Sequence, residues 1–86
     1  MNNIDKNIHA LKIFPQYFKC VKNGTKTFEI RKNDRDFHKG DILQLYEYDK
    51  AKGLYTGRVC AVTVLYVLKN CDGLSKDYCI MSIERI

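Results

Sequence analysis

A single segment of this chain, from Pro15 to Gly24, has the apolar spacing of a helix, and every other apolar stretch is typical of strands. Pro15 suits the first turn of a helix, and Gly24 is a natural stop after the last turn. A doubly wound parallel sheet needs a crossover helix between successive strands. One helix therefore excludes that architecture.

The remaining apolar segments predict the strands of a small, mostly antiparallel sheet. These segments are residues 9–14, 27–32, 42–48, 54–56, 59–68 and 78–85. Gly57 predicts a bulge or bend, and five β-branched residues in 59–68 favour a strand buried on both faces for much of its length. We expect an α+β fold that is mainly β, a partly closed barrel that one helix flanks or plugs.

Length and hydropathy predict one soluble domain. The chain has 86 residues, of which 8–86 would form the domain and 1–7 a flexible N-terminal extension. No apolar run reaches the length of a membrane span, and the N-terminus lacks the features of a signal peptide. These features predict a cytoplasmic protein that does not contact membranes.

The four cysteines show no pattern of a metal or redox site. None forms a C-x-x-C pair, and their spacing with His9 and His38 matches no zinc cluster. We expect reduced thiols, no metal and no cofactor.

Positive charge is concentrated in one part of the chain. Residues 19–39 contain seven basic and three acidic residues, a net charge of +4 out of +5 for the whole chain. Such a local field favours an anionic partner, although charged runs also serve as solvated surface.

The segment 27–32 concentrates the charged residues of most interest. Alternation predicts Phe28 and Ile30 in the core, and Glu29 and Arg31 together on a face that lines a solvent-accessible cleft. Lys32 would point away from that charged face. Glu29 is expected to pair with Arg31 or Lys26, or to act on a ligand as hydrogen-bond acceptor or general base.

The motif Gly24-x-Lys26-x-x-Glu29-x-Arg31 resembles the G-x-K-x-x-E-x-R signature of ASCH domains, which belong to the PUA-like superfamily. The flanking segments 28–35, 40–41, 47–49 and 81–83 resemble a compact bacterial and bacteriophage subfamily that lacks an assigned function. The resemblance covers residues 8–86. It implies a small β-barrel in which the signature residues line a cleft between helix and barrel, and a role related to RNA.

We therefore expect a module that binds RNA or a nucleotide-like ligand in a basic cleft. The candidate binding residues are Gly24, Lys26, Thr27, Glu29, Arg31, Lys32 and Arg35. The tyrosines that could stack on a base are Tyr17, Tyr46, Tyr48, Tyr55, Tyr66 and Tyr78.

Two alternatives stay open. The first is a small hydrolase, of amidohydrolase or ribonuclease type, that uses Lys26 and Glu29. One ASCH branch removes the acetyl group from acetylated cytidine, and its catalytic lysine matches Lys26. Its threonine position holds Glu29, and its catalytic glutamate has no counterpart, so a binding role is favoured over catalysis. The second alternative is an interaction or inhibitor module that binds an acidic protein.

Overall fold

A computed structural model describes residues 7–86 as five strands and one helix, so the predicted extension lies outside the described residues except for Asn7. The elements are β1 (Ile8–Ile13), α1 (Pro15–Lys22), β2 (Phe28–Lys32), β3 (Ile42–Asp49), β4 (Leu54–Leu68) and β5 (Tyr78–Arg85). The two segments predicted on either side of Gly57 form one long strand. Gly57 has a φ of +94° and lies where the β3–β4 register shifts, as a bulge requires.

The five strands form one sheet in the order β1-β3-β4-β5-β2. β1 runs parallel to β3, and the other neighbouring pairs are antiparallel. The sheet curls into a half-barrel, which agrees with the prediction of a mainly β domain with one helix. Its edge strands are β1 and β2.

The curl brings the two edge strands close enough for side chains to bridge them. Nη2 of Arg31, on β2, donates to the carbonyl oxygen of Lys12 on β1 at 2.8 Å. Nη1 of Arg35, just beyond β2, donates to the carbonyl oxygen of Ala10 at 3.2 Å. These arginines satisfy backbone acceptors of β1 that no strand pairs. We call the gap between β1 and β2 the seam.

The core lies on the concave face of the half-barrel and beneath α1. Residues that share this environment are Leu11, Ile13, Phe18, Val21, Phe37, Leu43, Leu45, Cys60, Val62, Val64, Cys79, Met81 and Ile83. β4 buries alternate residues only, and Leu65 and Tyr66 are exposed, so the prediction of a strand buried on both faces is wrong. With a single helix, the convex face of this strand has no second layer to cover it.

The facing of β2 is the reverse of the prediction. Phe28 and Ile30 are 45% and 54% exposed, whereas Glu29 is 3% exposed. The register explains this, because Glu29 lies opposite Met81, and Met81 is completely buried on the concave face of β5. Strand β2 therefore turns Glu29 and Arg31 inward, and Phe28, Ile30 and Lys32 outward.

The loop between β2 and β3 is held against β1 by Asp41. The Asp41 carboxylate accepts a hydrogen bond from the backbone N–H of His38 at 2.9 Å and lies 2.9 Å from Nε2 of His9. Phe37 inserts into the core from this loop. These contacts place Arg35 at the seam.

Candidate functional site: a groove at the open end of the seam

The turn after α1 delivers Lys26 to the seam. Gly24 adopts a φ of +85°, a conformation that side chains rarely allow, and reverses the chain. The backbone N–H of Lys26 then donates to the carbonyl oxygen of Cys20 at 2.9 Å. The side-chain oxygen of Asn23 accepts from the N–H of Thr25 at 2.9 Å and fixes the turn. Lys26 thus sits beside α1, just before β2.

Lys26, Glu29 and Arg31 form a connected ion-pair cluster. Nζ of Lys26 donates to Oε1 of Glu29, and Nε of Arg31 donates to Oε2 at 2.9 Å. Each carboxylate oxygen therefore has its own cationic partner, which confirms the predicted pairing of Glu29. Nζ of Lys26 also donates to the carbonyl oxygen of Phe28 at 2.7 Å. Because Arg31 reaches both Glu29 and β1, the cluster ties β2 to the opposite side of the seam.

A groove of about 620 Å³ opens where the seam meets α1. Phe14, Tyr17 and Cys20 line it from the side of the helix, and Phe28 and Ile30 from the side of β2. The ion-pair cluster contributes the charged part of its surface. An apolar cleft with a few converging polar groups is the usual form of a small-ligand site.

Two exposed aromatic rings flank the ammonium group of Lys26. Its Nζ lies 5.7 Å from the ring centroid of Tyr17 and 5.0 Å from that of Phe28. Lys12 also lines the groove, with Nζ 4.0 Å above the ring of Tyr48. The lining contains three cationic side chains and one carboxylate, so its net charge is +2. The groove is suited to a planar ligand that carries negative charge.

The structure brings together only part of the predicted site. Lys26, Glu29 and Arg31 line the groove. Gly24 and Thr27 instead line a second cleft of about 370 Å³ on the far side of Lys26. Lys32 and Arg35 line neither cleft.

Five residues that line the groove are absent from the site predicted from the sequence. They come from β1, α1, the link between them and the turn after α1: Lys12, Ile13, Phe14, Cys20 and Thr25. Tyr17 was one of six candidate tyrosines, and it is the one that lines the groove. Strand alternation predicts Phe28 and Ile30 in the core, but both are exposed and line the groove. One feature of the sequence could have indicated the inward face of β2. Lys26, Glu29 and Arg31 lie close together and carry opposite charges, so they can pair with one another when that face is buried.

A second buried carboxylate lies on β3, outside the groove lining. Glu47 accepts from Oγ1 of Thr56 at 2.7 Å and from Nε of Arg58 at 2.8 Å. The hydrogen bond from Thr56, and after it the hydrogen bond and positive charge of Arg58, hold the pKa of Glu47 below its ordinary value of 4.5, against the opposing effect of burial. On β5, burial raises the pKa of the Cys79 thiol.

The cysteines are free, and within residues 7–86 no three His, Cys, Asp or Glu side chains come together as ligands for a metal ion. The one helix in this range is too short to cross a bilayer.

Two comparisons with known proteins place the chain in a family. Over 74 residues it is 36% identical to a protein of Escherichia phage P2, described as an uncharacterized 12.9 kDa protein in the GpA 3′ region. That alignment covers 86% of this chain and 65% of the relative, so the chain spans about 65% of the relative's length. Residues 8–83 match a family described as a domain of unknown function, DUF3850, and the chain therefore belongs to the DUF3850 family.

Proposed function

We propose that this domain binds a nucleotide, free or as one unit of an RNA strand, in the groove at the open end of the seam. The observation that carries the proposal is the combination of exposed rings and cations in one cleft. Tyr17 and Phe28 offer surfaces on which a base can stack, and Lys26 lies between their rings. Lys12, Lys26 and Arg31 supply positive charge for a phosphate.

The arrangement of Glu29 favours binding over hydrolysis. A general base needs a carboxylate oxygen that can accept a proton from water. Both oxygens of Glu29 already accept hydrogen bonds from Lys26 and Arg31. Glu29 in our proposal holds the two cations in place, and it does not act on the ligand.

The proposal includes a relation between this domain and the ASCH domains of the PUA-like superfamily. Its support is that the signature residues Lys26, Glu29 and Arg31 meet in a cleft beside the single helix of a half-barrel. Fold resemblance alone does not assign a ligand, so binding must be measured.

The first test compares two exposed tyrosines. Tyr17→Ala removes a ring from the groove, whereas Tyr66→Ala removes an exposed ring on β4 that lines neither cleft. Base stacking contributes about 1–3 kcal/mol per base, so Tyr17→Ala should weaken binding by about tenfold or more, and Tyr66→Ala should leave it unchanged. Calorimetry with the four nucleoside monophosphates, and anisotropy with short labelled RNA, separate the free nucleotide from the strand.

The salt dependence provides a second readout of the same experiment. Lys26→Met should reduce the slope of log affinity against log salt by about 0.7 for single-stranded RNA, the effect of one phosphate contact. Lys32→Met, on the opposite face of β2, should leave mononucleotide affinity unchanged. If the wild-type protein binds neither RNA nor mononucleotides at low salt, the proposal is wrong, and an acidic protein becomes the leading candidate partner.

A further inference from the structure

The backbone of β2 beside the groove has hydrogen-bonding groups that the ion-pair cluster leaves unpaired. β2 is an edge strand, and its residues pair with β5 only on one side. The N–H of Ile83 donates to the carbonyl oxygen of Thr27 at 3.0 Å, and the N–H of Asn33 donates to that of Asp77 at 2.7 Å. In an antiparallel ladder, alternate residues exchange both hydrogen bonds with the partner strand. Glu29 and Arg31 therefore belong to the bonded set.

The intervening residues of β2 direct their backbone groups away from β5 and toward the seam. For Phe28 this is visible directly, because its carbonyl oxygen accepts from Nζ of Lys26. Ile30, two residues further along β2 and opposite Ile80, has its backbone groups on the same side as those of Phe28. Its N–H and C=O leave the strand on the same side, and no side chain of the described residues donates to or accepts from either group.

The unpaired backbone N–H and C=O of Ile30 lie at the point where the seam opens into the groove. Toward Lys32, the side chains of Arg31 and Arg35 bridge the seam to β1. Toward Phe28, the seam widens into the groove, which Ile30 lines. Strand residues two apart lie about 7 Å from each other, so a base that stacks on Phe28 can direct its edge at the backbone of Ile30.

We infer that the N–H and C=O of Ile30 hydrogen-bond the Watson–Crick edge of the base that the groove binds. The Watson–Crick edge of each base presents a hydrogen-bond donor next to an acceptor. A strand residue whose N–H and C=O are both unpaired can bond to such a pair of groups. This inference rests on the proposed function and deepens it, because it names the ligand as a nucleotide with an unblocked base edge. The +2 charge of the groove lining fits the phosphate of such a ligand.

Three variants distinguish the contribution of the Ile30 backbone to binding from that of its side chain and from a general effect of proline on the strand. Ile30→Pro removes the N–H, and proline is tolerated on an edge strand where the N–H faces away from the ladder. Ile30→Ala keeps the N–H and removes most of the side chain. Lys32→Pro is the matched control, since its N–H has the same phase but Lys32 does not line the groove. Circular dichroism and thermal unfolding check that each variant folds.

With the four nucleoside monophosphates as probes, Ile30→Pro should weaken binding by about tenfold, as expected for one lost hydrogen bond, and by more than Ile30→Ala. Lys32→Pro should stay within about twofold of wild type. A second arm pairs uridine and guanosine monophosphates with their N3-methyl and N1-methyl forms. Wild type should prefer the unmethylated form, because the methyl group replaces the base N–H that the carbonyl oxygen of Ile30 accepts. Ile30→Pro, which keeps this carbonyl oxygen, should retain that preference.

The outcomes distinguish this inference from the proposed function. If mononucleotides bind, but Ile30→Pro is no weaker than Ile30→Ala, or the methylated forms bind as well as the unmethylated ones, the assignment of Ile30 is wrong while the groove remains the nucleotide site. If mononucleotides and RNA both fail to bind wild type, the proposed function and the inference fall together. Ribose 5-phosphate, which lacks a base, should bind wild type and Ile30→Pro alike.

Discussion

Glu29 and Glu47 are buried to the same degree, each 3% exposed, yet their surroundings differ. Glu29 bonds two cations that are themselves largely covered, since the side chain of Arg31 is only 22% exposed. Glu47 bonds a hydroxyl and the guanidinium of Arg58, whose side chain is 68% exposed. Equal burial of two carboxylates therefore does not imply equal dependence of the fold on them.

The difference lies in what each carboxylate holds together. Glu29 gathers Lys26 and Arg31 from a turn and a strand, and Arg31 continues to the carbonyl oxygen of Lys12 across the seam. Glu47 binds Thr56 and Arg58, which flank the bulge at Gly57 within one hairpin. We infer that the first cluster organises the groove and tertiary structure, and that the second fixes local geometry.

The largest effect is expected from Glu29→Ala. Removing this carboxylate leaves the two partly buried cations unpaired, and breaking a buried ion pair costs about 3 kcal/mol at the lower end of the usual range. Glu47→Ala should cost less, because Arg58 can extend into water and recover its solvation. Urea denaturation of both variants measures the free energies of unfolding. Equal losses would contradict the comparison.

The helix and the last strand were predictable from the sequence because their signals are local. Pro15 marks the start of α1, the turn at Gly24 follows its end, and β5 has the bounds expected for residues 78–85. The meeting of Lys26, Glu29 and Arg31 was predictable for the same reason, since their sequence separation keeps them within reach of one another.

The facing of β2 and the opposite wall of the groove were not predictable in this way. Alternation divides a strand into two faces, but the face that turns inward depends on its partner strand, here on Met81 opposite Glu29. Lys12 reaches the groove only because the sheet curls until β1 meets β2. These are long-range features, and apolar periodicity alone favoured the wrong face.

An effect of intermediate size is expected from alanine substitutions at two glycines, one beside each carboxylate cluster. Gly24 and Gly57 have φ values of +85° and +94°, and an added Cβ would meet no atom within 4 Å at either position. Alanine at each should cost about 1–2 kcal/mol from backbone strain alone. Gly24→Ala should also weaken nucleotide binding, because it displaces Lys26, whereas Gly57→Ala should leave affinity unchanged. The comparison fails if the two variants change affinity equally.

The smallest expected effect is the pH dependence that arises from Glu47. Its pKa in the folded protein lies below the ordinary value of 4.5, so at a pH near 4.5 the unfolded chain binds more protons than the folded one. The stabilisation is therefore fully present above pH 4.5 and is lost as the pH falls through the lower pKa of the folded state. Thr56 contributes the largest part of this lowering.

Thr56→Val should accordingly reduce the loss of stability on acidification, since it raises the folded-state pKa of Glu47 toward the unfolded value. The measurement is urea unfolding of wild type and variant from neutral pH to below 4.5. Thr63→Val, on the same strand, is the control, because among the described residues Thr63 donates no side-chain hydrogen bond to a carboxylate. Both threonines lie on β4, and only Thr56 donates a hydrogen bond to Glu47, so the difference between the two variants isolates Glu47. Parallel curves for wild type and Thr56→Val would contradict the assignment of Thr56 as the main cause of the lowered pKa of Glu47.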